Sequence, residues 1–141
     1  MALVLVCYLV AAAGYAAFQW TVHILIYRQF AVVPVDAFPA YEREHQRRIS
    51  FLVGPLFTAL TISTGWLLVD RPPGVALWAI LLAGALVAGI LAATAFVAVP
   101  LHARLSKGWD TASYRRLLRA DLARTLAATG TLVLAIAFTR A

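Results

Sequence analysis

Apolar positions fall into four long stretches, at about 2–27, 49–69, 75–101 and 122–138. A helix needs about 20 mostly apolar residues to cross a bilayer, so each stretch is read as a transmembrane span. The first carries no formal charge before Arg28, although Gln19 and His23 lie in its last turns. The opening segment has no basic start, and its apolar run outlasts the core of a secretory leader. It therefore reads as a retained first helix. Pro34 and Pro39 break the connection that follows. The polar run YEREHQRRIS holds no breaker and leads as helix into the second span, with Pro39 suited to its first turn. Asp70-Arg71-Pro72-Pro73-Gly74 is a turn. Asp110 and Thr111 are alternative N-caps for the fourth helix, whose first part is basic and amphipathic. Pro55 and Pro100 predict local kinks.

The pattern predicts an all-α fold: one domain, 1–141, forming an integral membrane four-helix bundle of antiparallel up-down topology. Composition agrees. The chain is 63% hydrophobic and 13% charged over 141 residues, against roughly half apolar for a soluble domain. A net charge of +6 raises the question of nucleic acid. The basic residues flank the spans, however, so anionic headgroups are the expected partner and nucleic acid is not. Cys7 is the one cysteine, which excludes a disulfide framework or a CxxC motif.

Charge also sets the sides. Arg28, Arg43, Arg47 and Arg48 follow the first span; Arg104, Lys107, Arg115, Arg116, Arg119 and Arg124 follow the third. The opposite side has only Arg71 and Arg140. Short basic loops stay cytoplasmic. The expected protein is multi-pass in an inner or plasma membrane, with both termini on the non-cytoplasmic side. Trp66 and Trp78 would mark the outer interface and Trp109 the inner one. The third span holds Gly84, Ala85, Ala88, Gly89, Ala92 and Ala93, a small-residue face suited to packing inside the bundle or to a homo-oligomer.

Candidate chemistry gathers at the basic end. His23, His45 and His102 all map there, with Asp121 and Arg124 entering from the fourth helix. Glu42 and His45 are three apart, a spacing used in bundle metal sites. His23, Glu42, His45 and His102 would suit iron, copper or zinc. Alternatively a histidine acts as general base while Arg124 stabilises an anion. Gln19, Trp20, His23 and Tyr27 fall on one stripe, so Gln19, Trp20 and Tyr27 are candidate pocket walls. Blander readings stand beside these. Arg43, Arg47 and Arg48 form a solvated surface that Glu42 and Glu44 balance. Asp121 and Arg124, three apart, are an interior pair that serves either structure or chemistry.

These residues carry a resemblance. His23 near the end of helix one, Pro100-Leu101-His102 at the end of helix three and Asp121-x-x-Arg124 entering helix four resemble the anthrone oxygenase-like family of small four-helix membrane proteins. Members carry a Pro-Leu-Asn or Pro-Leu-His element, then a polar-x-x-Arg element in the last helix. This chain has Arg119 and Ala120 where an aromatic residue is expected, and Asp121 in place of an amide. The oxygenases of that family act on polyphenolic anthrones without an obvious cofactor; the resemblance implies His23, His102 and Arg124 as active-site residues but does not carry the substrate over.

Three functions follow. The first is a small membrane oxidoreductase or oxygenase acting on an apolar, aromatic substrate, with His23, His102, Arg124 and Asp121 as catalytic candidates. The second is a non-catalytic interaction or assembly protein, a small oligomeric scaffold. The third is a small transporter or channel, disfavoured because the second and third spans hold no charge.

Overall fold

The computed structural model describes residues 2–141. Four helices fill them: α1 (Leu3–Val32), α2 (Phe38–Val69), α3 (Leu77–Leu105) and α4 (Thr111–Phe138), each long and apolar enough to cross a membrane. The shortest has 28 residues, or about 42 Å at 1.5 Å per residue. That exceeds the ~30 Å hydrocarbon core, so every helix projects beyond it. This is why each helix outruns its apolar stretch: α1 continues past Arg28, α2 includes the whole polar run before the second span, and α3 continues past His102.

Local chemistry sets the ends. Pro39 lies in the first turn of α2, where its missing N–H is no loss. Asp110, not Thr111, caps α4: its carboxylate accepts from the backbone N–H of Ala112 (3.2 Å) and Ser113 (3.0 Å). In the α2–α3 turn Gly74 has φ 84°, and a Cβ there would lie 2.7 Å from the Ala141 carbonyl oxygen. Only glycine meets both conditions.

Two helices each contain one π-turn, Val22–Ile26 in α1 and Thr94–Ala98 in α3. The second has a cause in the sequence. Pro100 has no N–H to offer, and its ring crowds the preceding turn; just before it, Val99 donates five residues back, to the Thr94 carbonyl. Each π-turn adds a residue to one turn and so rotates the helix beyond it. Tyr27 and His102 lie just beyond these two rotations.

The helices form a bundle in which α1 packs on α2 and α4, and α3 packs on the same two. One apolar core, with Tyr8, Tyr15, Leu60, Leu67 and Ile80, fills the half nearest the chain ends. A second, with Phe30, Phe38, Leu105 and Leu117, closes the other end. The outer surface is also apolar, with Phe51, Ile62, Leu81, Phe96 and Val133 exposed. Such a face suits lipid rather than water. The small-residue face of α3 belongs to this exterior: Ala85, Ala88, Gly89 and Ala92 are exposed, and a Cβ at Gly84 or Gly89 would meet nothing within 4 Å.

Candidate active site

Between the two apolar cores lies a polar layer to which every helix contributes. Asp121 on α4 is wholly buried. Its Oδ1 accepts from Gln19 Nε2 (2.6 Å) and Arg124 Nη2 (2.8 Å), and its Oδ2 meets His23 Nδ1 (2.8 Å). Tyr15 donates to Gln19 Oε1 at 3.0 Å. A buried carboxylate costs several kcal/mol unless paired; here both oxygens are held by neighbours on α1 and α4. Arg124 then reaches across the bundle. Nη1 donates to Thr94 Oγ1 (3.1 Å) and Nη2 to the Tyr27 hydroxyl (3.4 Å), while Nε is buried without a partner.

Tyr27 links this cluster to a second one. Its hydroxyl lies 2.8 Å from His102 Nε2, and His102 Nδ1 lies 2.5 Å from Glu42 Oε1. Glu42 is wholly buried. The same Oε1 accepts from Gln46 Nε2 at 3.2 Å, and Oε2 has no partner. With Glu42 ionised, Nδ1 carries the histidine proton and Nε2 is the bare acceptor. The Tyr27 hydroxyl then donates to His102 and accepts from Arg124. A carboxylate, an imidazole, a phenol and a guanidinium thus form one continuous line through the bundle.

The line borders a cavity of about 150 Å³. Tyr27, His102, Arg124, Gln19 and Gln46 supply its polar wall; Phe18, Val22, Ile49, Val53 and Ala98 supply the apolar one. Exposed Ser50 on α2 and Val99 on α3 also line it, so it opens sideways between those helices. The opening faces the same surroundings as the apolar exterior.

The sequence-predicted residues divide. His102, Arg124, Tyr27 and Gln19 line the cavity. Asp121 stands behind it, holding Arg124 and Gln19 from the far side, and His23 in turn meets Asp121. Trp20 does not share the wall: it is 40% exposed and donates to Thr129 Oγ1, because it lies about 100° around the helix from Gln19. The four proposed metal ligands are not gathered into one set. His23 is committed to Asp121, and both ring nitrogens of His102 are occupied, by Glu42 and Tyr27. Among the described residues no three His, Cys, Asp or Glu side chains are arranged to hold an ion. His45 packs beside Phe30 and His102, with Nε2 buried and unpartnered.

Two simpler expectations also need correction. Glu42 does not balance the surface arginines. Glu44 does that alone, bridging Arg47 (2.7 Å) and Arg48 (2.5 Å). Nor does Arg124 belong with the basic loop charge, since it is buried and paired with Asp121 at 2.8 Å. Gln46 and Thr94 are site residues that were not singled out for the pocket. Gln46 carries a sequence signal, four residues beyond Glu42 and so on the same face. Thr94 carries a weaker one, as the lone hydroxyl residue of a charge-free span.

No protein-family model, no curated protein and no solved structure matches this chain.

Proposed function

We propose that this protein is a small integral membrane oxygenase-type oxidoreductase acting on an apolar aromatic substrate, in keeping with its resemblance to the anthrone oxygenase-like proteins. One observation carries the reading. The Tyr27 hydroxyl, the His102 imidazole and the Arg124 guanidinium converge on one wall of a cavity that is otherwise apolar and open toward the lipid side. That combination suits a ketone with a C–H bond made acidic by conjugation to the carbonyl through the rings. The rings lie against Phe18, Val22 and Ile49, and the carbonyl oxygen lies toward the Arg124 guanidinium. His102, acting directly or through Tyr27, takes the C–H proton while Glu42 stabilises the imidazolium that forms. Charge moves onto the carbonyl oxygen, where the fixed guanidinium meets it. The resulting carbanion transfers electrons to dioxygen and a C–O bond forms. Loss of the second C–H proton then breaks the O–O bond. In total a CH₂ group and dioxygen become a carbonyl group and one water.

Within this reading the four helices cross the membrane alternately. The loops around 33–37 and 106–110, together with the arginine-bearing helix ends that flank them, face the cytoplasm, and the termini lie outside. Tyr27→Phe tests the chemistry. It keeps the ring and removes the hydroxyl joining His102 to Arg124. Dioxygen uptake with an anthrone as substrate should fall at least tenfold in kcat, with KM little changed. Uptake equal to the wild type would remove the proposal.

A second reading has its own observation: the outward small-residue face of α3, with open space at Gly89. Such faces let helices of neighbouring protomers approach closely. An oligomeric scaffold would dissociate in Gly89→Leu, whereas an enzyme acting as a monomer would keep both its size and its turnover.

A further inference from the structure

A second concavity lies on the outside of the bundle, on the face away from the candidate active site, with a volume of about 560 Å³. It runs between one stripe of α3 and one stripe of α4. On α3 the stripe descends from Arg104 through Leu101, Pro100 and Val97 to Ala93. On α4 it descends from Arg116 and Arg119 through Ala120 to Ala123. Apart from the adjacent pairs Pro100/Leu101 and Arg119/Ala120, the steps are three or four residues, which keeps each set near one helix face. Alanines at the floor leave a trough where larger side chains would close the gap. Exposed Phe96 forms one bank.

The two ends differ in chemistry. Three arginines sit at the end nearest the α3–α4 loop, and none takes part in an ion pair among the described residues. The two acids nearest in sequence are engaged elsewhere: Asp110 by the first amides of α4, and buried Asp121 by Gln19, His23 and Arg124. Below the arginines the lining is apolar. From Arg104 to Ala93 is eleven residues, about 16 Å of helix. Half of a ~30 Å hydrocarbon core is about 15 Å. A cationic mouth above an apolar trough one leaflet deep matches an anionic headgroup with its acyl chain.

We propose that this groove is a binding site for an anionic glycerophospholipid drawn from the surrounding bilayer. Arg104, Arg116 and Arg119 hold the phosphodiester, and one acyl chain lies in the trough along Val97, Pro100 and Ala123. Three arginines converging on one headgroup bind more selectively than the diffuse attraction of a basic surface.

The test uses the full chain reconstituted in phosphatidylcholine vesicles carrying a trace of spin-labelled phosphatidylglycerol or spin-labelled phosphatidylcholine. The readout is the motionally restricted fraction of each label. The wild type should prefer the anionic label by roughly tenfold or more, as expected for a few arginines near a headgroup. Arg104→Gln/Arg116→Gln/Arg119→Gln should lose that preference. Arg43→Gln/Arg47→Gln/Arg48→Gln removes the same number of charges elsewhere and should keep it. Ala123→Trp, which fills the trough and spares the arginines, should also lose it. Excess glycerol 3-phosphate should fail to displace the label. The proposal is overturned by no preference in the wild type, by equal loss in both triple variants, by full binding in Ala123→Trp, or by displacement with glycerol 3-phosphate, which would mark a simple phosphate site.

Discussion

Glu42→Gln separates a working relay from a structural one. In the native site Glu42 Oε1 holds His102 Nδ1 at 2.5 Å and Gln46 Nε2 at 3.2 Å, with the second oxygen unpartnered. Glutamine has nearly the same shape and retains one acceptor oxygen. What it removes is the negative charge facing the imidazole. Without that charge, the imidazolium formed on taking a substrate proton is no longer stabilised, and the amide N–H₂ also offers His102 the wrong tautomer. General acid–base catalysis by a positioned side chain contributes about 10²–10⁴-fold. The expected loss in kcat is of that order, or about 2.7–5.5 kcal/mol in the barrier. Binding is expected to change little, because Glu42 does not line the cavity. Stability should move the other way or not at all. A neutral amide costs less to bury than a carboxylate with an unpartnered oxygen. The assay is steady-state dioxygen uptake in vesicles, run beside thermal unfolding of the same preparation. If kcat is unchanged, or if Tm falls in proportion to activity, the relay is structural and the reasoning fails.

Two further predictions concern the scaffold. Asp121→Asn leaves Arg124 buried without its counter-charge and should destabilise the bundle by about 3–5 kcal/mol; Asp121→Asn/Arg124→Gln should recover a large part of that loss in a denaturant-unfolding cycle, and simple additivity would contradict the pairing. Asp110→Ala should lower Tm at neutral pH by removing the cap of α4. The Asp110 carboxyl is held below its ordinary value, mainly by its hydrogen bond to Ser113; its contribution is therefore present above the usual carboxylate range and lost as pH falls through the lowered pKa, so wild type and variant should converge in acid.

The spans were legible because lipid demands about 20 apolar residues in a row and the sequence supplies them four times. The pairing of Asp121 with Arg124 was legible too, since ionisable groups entering an apolar helix rarely face outward alone. The inner partner of His102 was legible only in part: the pattern groups Glu42 with His102 as a metal ligand, and equally lets it balance the surface arginines. Glu42 and Glu44 stand in the same polar run, separated by about 200° of helix rotation. Only one can face the bundle, and composition does not say which. Packing of Phe38 on Phe30 and Trp109 fixes the rotation of α2 and turns Glu42 inward. The π-turns pose a similar problem. Pro100 gives a reason for the one in α3, but no residue marks the one in α1 at Val22–Ile26. Trp20 is a separate case, lying before that turn: as the neighbour of Gln19 it points about 100° away around a regular helix, and its indole bonds to Thr129 rather than joining the pocket wall.

The most direct measurement of the central claim follows the oxygen atom. The purified chain in vesicles is given an anthrone under heavy-oxygen-labelled dioxygen, and the product is weighed by mass spectrometry beside a His102→Ala control. The account predicts one labelled oxygen in the new carbonyl group, formed at a rate that collapses to the spontaneous background in His102→Ala. Label absent from the product, or incorporated equally fast by His102→Ala, would contradict it.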